Sequence, residues 1–166
     1  MSGLSQSSRV IDIGASTPYD TAGSASFEIP DPFKLAEFGL RVDQGDIFNF
    51  AILSGSIGLT NISPETYSVV EVSITRRLPP DLTETTIYTT RQALLPPPLL
   101  LIEGAPVTLS IHYTDGGVDG SIAAGYYAYA LYVQIIQNVA LGEGQPASPI
   151  LFGPVTFSGI SAVKDA

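Results

Sequence analysis

Apolar and polar side chains alternate with a period of two along most of the chain, the spacing that sends successive residues to opposite faces of a β-strand. Ser68 to Arg77 is the cleanest case, with Val70, Val72 and Ile74 on one side and Glu71, Ser73 and Thr75 on the other. Lys34 to Val42 turns Ala36, Phe38, Leu40 and Val42 inward and Glu37 and Arg41 outward. Val107 to Tyr113 sets Val107, Leu109, Ile111 and Tyr113 on one face. Shorter runs lie at Arg9 to Gly14, with Val10 opposite Ile11 and Ile13, at Ser24 to Ile29, and at Glu84 to Thr90. Ile150 to Val163 closes the chain as a last strand, with Gly153-Pro154 near its start and a kink expected at Gly159.

Turn residues separate these runs: Thr17-Pro18-Tyr19-Asp20, Asp43-Gln44-Gly45-Asp46, Pro79-Pro80-Asp81, Asp115 to Gly120, and the Gly/Pro-rich Leu141 to Pro149. Nowhere does a helical period persist over about ten residues. The pattern predicts an all-β, single-domain, jelly-roll-like antiparallel sandwich of about eight or nine strands. An N-terminal arm with a short strand, residues 1–14, precedes a sandwich domain of residues 15–166.

Three stretches depart from clean alternation. Tyr126 to Gln137 is twelve residues without Gly, Pro or charge. Tyr127, Tyr129, Leu131, Val133 and Ile135 can face the core, yet the other face, from Tyr126 through Tyr132 to Ile136, is uncharged as well. A strand wetted on one side alternates more sharply, so this second face is expected to be covered by another sheet, segment or subunit. Ile47 to Leu59 is likewise apolar on both faces, with Gly55 and Gly58 as bulge or close-approach points. The third is the connection from Leu94 to Ile102. It puts Leu94, Leu95, Leu99, Leu100, Leu101 and Ile102 around a Pro triplet, either as a lid on the sandwich or as a contact site.

Composition narrows the function. At 45% hydrophobic and 14% charged residues, 166 residues suffice for one packed core and are unlike a disordered chain. A net charge of −9 excludes the basic footprint that nucleic acid or an anionic membrane needs. The longest apolar passage is interrupted by prolines and falls short of the ~20 residues of a spanning helix, so no membrane insertion is expected. With no cysteine there is no disulfide, thiolate or Cys-based metal site, and no cofactor is expected.

Candidate chemistry is sparse. His112 is the only histidine; Ser110 shares its face and Asp115 follows, but all three lie within one strand and its exit rather than on a nucleophile turn. DGGVDG, Asp115 to Gly120, lacks the ligand run of a calcium loop and reads as a hairpin. Asn61-Ile62-Ser63 is a sequon followed by proline, with no signal segment to deliver it for glycosylation. The absence of tryptophan weighs against a sugar site. The chain is not expected to be an enzyme.

Three segments together resemble a family. They are VIDIGASTPYDTAGSASFEIP (Val10 to Pro30), the strand pair Ser68 to Thr90, and AAGYYAYALYVQ (Ala123 to Gln134) followed by FGPVTFSGISA (Phe152 to Ala162). The pattern is similar to the exosporium protein C-like proteins of Bacillus-type spores, with Gly153, Pro154, Phe157, Ser158 and Gly159 the part that matches best. The resemblance implies a structural, self-assembling protein of the spore surface, made in the cytoplasm without a signal peptide, with no catalytic residues. Its expected partners are further copies of itself, as a homo-oligomer or filament, and other spore-surface proteins. The residues offered for assembly are Val10, Ile11, Ile13, the six aliphatics of 94–102, Tyr126, Tyr132 and Ile136, with the arm suited to adding to a neighbour's sheet edge. The alternative is a non-catalytic binding head, TNF-like or of phage or viral appendage type, that recognises a glycan or a protein receptor.

Overall fold

A computed structural model of the chain describes residues 8–16, 31–45, 47–78, 80–81, 83–96, 107–116, 121–151 and 155–165. Among them run nine strands: β1 (Ser8–Ala15), β2 (Phe33–Val42), β3 (Phe48–Thr60), β4 (Thr66–Arg77), β5 (Thr85–Leu94), β6 (Val107–Gly116), β7 (Gly125–Ala140), β8 (Ile150–Leu151) and β9 (Thr156–Lys164). The expected run at Ser24 to Ile29 lies outside the described residues.

Two antiparallel sheets result, in the orders β1-β9-β3-β6 and β2-β7-β4-β5. β8 pairs with Leu59 and Thr60 of β3, and β9 pairs with the same strand from Phe48 to Ser56. The two therefore act as one interrupted eighth strand. Counted so, first pairs with eighth, second with seventh, third with sixth and fourth with fifth, which is a jelly roll. The inward faces form a single core, with Leu40, Leu53, Ile57, Ile74, Tyr129, Leu131 and Phe157 essentially sealed from water.

Several expectations need correcting. Residues 8–15 are not a free arm: β1 is the edge strand of its own sheet, paired with β9 from Ser8↔Lys164 to Ala15↔Ser158. A bulge between Val10 and Asp12 adds a residue there, so Val10 and Ile13 share a face instead of opposing each other. Gly159 produces no kink, because β9 keeps continuous register with β3 through it. Its missing side chain makes room instead, since a Cβ there would sit 2.8 Å from Phe38 Cζ. Leu94 does not begin an exposed loop; it ends β5 and is 1% exposed, packed in the core.

The seam between β1 and β2 is closed by close approach and by polar bonds. A Cβ on Gly14 would meet Gly39 O at 2.5 Å. The Arg41 amide donates to Asp12 Oδ2 at 2.8 Å, and the Ser161 hydroxyl donates to the Arg41 carbonyl. A second bridge crosses the sandwich interior. Asp115 on β6 receives Arg76 Nη1 of β4 at 2.8 and 2.9 Å and the Tyr129 hydroxyl of β7 at 2.9 Å.

Candidate functional site

The outward faces of the two sheets differ in chemistry, and the register lists what each presents. On β1-β9-β3-β6 the outward side chains form cross-strand rows. One is Val10–Ala162–Phe50. The next is Ile13–Ile160–Ile52, continued by Thr114 of β6. Beyond it come Ala15–Ser158–Ser54–His112 and Thr156–Ser56–Ser110. Val10 is 57% exposed, Ile13 69%, Ile52 45% and Ile160 39%. Phe48 stacks near Phe50 with ring centroids 5.5 Å apart, and Lys164 Nζ lies 5.4 Å from the Phe48 ring. Among the described outward residues of this sheet, Lys164 at its margin carries the only fixed charge.

The lower rows are hydroxyl-rich and partly paired among themselves. Ser56 and Thr156 hydroxyls are 2.7 Å apart, and Ser54 Oγ lies 3.3 Å from His112 Nδ1. Asp115 points the opposite way, into the core, where Arg76 and Tyr129 hold it. His112 and Asp115 thus lie on opposite faces of β6, which dismantles any Ser-His-Asp relay. Asn61 is buried, donating to the Thr66 carbonyl at 2.5 Å, so its sequon is closed to modifying enzymes in the folded chain.

The outward face of β2-β7-β4-β5 carries the charge. Lys34 and Glu37 of β2, Glu71 and Arg77 of β4 and Arg91 of β5 flank the uncharged stripe of β7. Gln134 donates to Glu71 Oε1 at 2.7 Å, and Arg91 Nε donates to Glu71 Oε2 at 2.9 Å. The Tyr132 hydroxyl and the Thr75 hydroxyl both donate to Glu84 Oε2, at 2.8 and 2.9 Å. Burial pushes the Glu84 carboxyl up, but those two hydrogen bonds with Lys34 and Arg77 nearby outweigh it and hold it below its ordinary range. The second face of Tyr126 to Gln137 is therefore covered in its middle by charged neighbours within the subunit, and Ala130 at its centre is buried.

The residues offered for assembly are dispersed by the fold. Val10 and Ile13 come together on the uncharged sheet, and Ile11 sits half-buried in the bulge between them. Tyr126, exposed, lies over Gly39 of the neighbouring strand β2 on the charged sheet, and Tyr132 is half-covered on that same face. Ile136 is exposed where β7 carries one residue more than Val69–Val70 opposite it. Leu95 is exposed after β5, Leu94 is in the core, and Leu99, Leu100, Leu101 and Ile102 lie outside the described residues. Phe48, Phe50, Ile52 and Ile160 were not singled out from the sequence. For the three on β3 the signal was the run from Ile47 to Leu59, apolar on both faces, whose outward half begins with them; Ile160 had no such signal.

Among solved structures the chain is similar to Eiger TNF from S. frugiperda, with a TM-score of 0.50 and 11% identity over 95% of this chain and 96% of that one. At that identity the likeness bears on the fold alone. A CBM4 structure matches more loosely, with a TM-score of 0.35 and 15% identity over 92% of this chain and 77% of the other. So does a family 11 carbohydrate-binding module from Clostridium thermocellum, at 0.33 and 9% over 96% and 89%. No protein-family model matches the chain, and a search of curated proteins gave no match.

Proposed function

We propose that the chain is a non-catalytic structural subunit that assembles with copies of itself through the outward face of β1-β9-β3-β6. The observation that carries this is the Ile13–Ile160–Ile52 row, in register and open to water on a face with one marginal charge. Interface cores are depleted of charge in the same way. A second copy suits this face because the whole chain carries −9, and like-charged copies approach with least repulsion where the charge is absent.

Magnitudes set how much of the face must be covered. Fully burying such a side chain contributes on the order of 1.5–3 kcal/mol, so half-exposed ones give roughly 1 kcal/mol each. Association costs ~4 kcal/mol or more in lost freedom. The isoleucine row alone falls short of that. Val10, Phe48 and Phe50 have to be covered with it, and the hydroxyl rows have to find partners across the contact.

The sequence resemblance to exosporium protein C-like proteins supports the spore surface as the setting of this assembly. Light scattering behind size exclusion tests which face is used. Ile160→Lys should give single subunits that remain folded and melt cooperatively, while Thr89→Lys on the opposite sheet should keep the parent size. Equal sizes for both variants and the parent would remove the face from consideration.

A further inference from the structure

The segment joining β4 to β5 brings Glu84 back over the outward face of the second sheet, where a cleft of about 320 Å³ opens between Pro32, Ser73, Thr75, Glu84, Thr86 and Tyr132. That is the size at which small-molecule sites begin. Its walls are one carboxylate, one phenol and three aliphatic hydroxyls, with the Lys34 ammonium at the rim, 5.5 Å from the Tyr132 ring centroid.

Fixed partners hold these groups before any ligand arrives. Glu84 Oε2 accepts from Tyr132 and Thr75, while Lys34 Nζ, among the described residues, stands 3.7 Å from Oε1, beyond hydrogen-bond reach. Lys34 Nζ is itself anchored to Glu37 Oε2 at 2.5 Å and keeps further protons to donate. Arg77 Nη2 stands 3.8 Å from Glu37 Oε1. Two acids, Glu37 and Glu84, are thereby balanced by two bases, Lys34 and Arg77.

We propose that this cleft binds a neutral, polyhydroxylated ligand: a single sugar ring, either free or at the end of a glycan. The charge balance disfavours both anions, which meet Glu84, and cations, which meet Lys34. Vicinal hydroxyls match what is offered, donating to Glu84 Oε1 and accepting from Lys34, Ser73 and Thr86. Pro32 supplies an apolar wall for the C–H face of the ring. With no tryptophan in the chain to stack on, the affinity is millimolar.

The test is a two-dimensional amide NMR titration of the full chain with glucose, galactose, N-acetylglucosamine and rhamnose, with sialic acid as an anionic comparison, alongside a glycan array. At least one neutral sugar should shift the Ser73, Thr75 and Thr86 amides saturably at millimolar concentration. Glu84→Gln should weaken binding about tenfold, and Thr86→Tyr, a change at an exposed position that fills the cleft, should abolish it while the spectrum stays dispersed. Shifts with the free sugar point to a soluble ligand; array signal confined to glycans ending in it points to a glycan. Absence of shifts at these amides with every neutral sugar together with a blank array, a preference for sialic acid, or binding indifferent to both substitutions would overturn the proposal.

Discussion

Asp115 carries the heaviest residue-scale load. Its carboxylate is almost sealed from water and is held by Arg76 and Tyr129, one from each of two strands of the opposite sheet. Removing one partner of a buried ion pair costs ~3–5 kcal/mol, because the other charge is left uncompensated. Arg76 keeps partial access to water, so Asp115→Ala should lower the urea-unfolding free energy by about 3 kcal/mol. Burial, and then the neighbouring Asp115, push the Tyr129 phenol well up from its ordinary value. Above pH ~10 the unfolded chain releases that proton while the folded chain keeps it, so stability is full below pH ~10 and falls as pH rises. Tyr129→Phe should cost about 2 kcal/mol at neutral pH for the lost bond to a charged acceptor and make the alkaline decline shallower. Urea midpoints at pH 7 to 11 check both. The pairing itself was not legible in the sequence, where Asp115 reads as the first residue of a turn; the period only placed Tyr129 inward and, continued from Val70, Val72 and Ile74, Arg76 with it.

At the scale of elements the alternation did most of the work. Val70, Val72 and Ile74, and Tyr127 through Ile135, face the core as their period requires. What periodicity could not supply was register. The bulges in β1, β2 and β7 each insert one residue, and the one in β1 carries Val10 to the face of Ile13. Such a slip depends on the partner strand and leaves no trace in a single run of sequence. Glycine roles were hidden for the same reason: Gly159 looks like a kink until Phe38 from the other sheet is seen to occupy its space. Gly159→Ala would place a Cβ 2.8 Å from Phe38 Cζ and 2.9 Å from Leu53 Cδ2. Overpacking of that kind costs ~1–3 kcal/mol. Its melting temperature should drop accordingly, whereas Gly144→Ala, where a Cβ meets nothing within 4 Å, should be close to neutral.

For the whole molecule, the organising fact is the unequal treatment of two sheet exteriors. Composition gave the total charge but not its placement; only the strand order gathers Lys34, Glu37, Glu71, Arg77 and Arg91 on one face and leaves Val10, Ile13, Phe50, Ile52 and Ile160 on the other. On the proposed reading, the uncharged exterior is the side that a second copy covers. Sedimentation velocity of the unaltered chain over a dilution series at moderate salt tests that most directly. The account predicts a species of two or more 17.5 kDa subunits at micromolar concentration, with single subunits emerging on dilution. One sharp boundary at the mass of a lone subunit up to the highest concentration would contradict it.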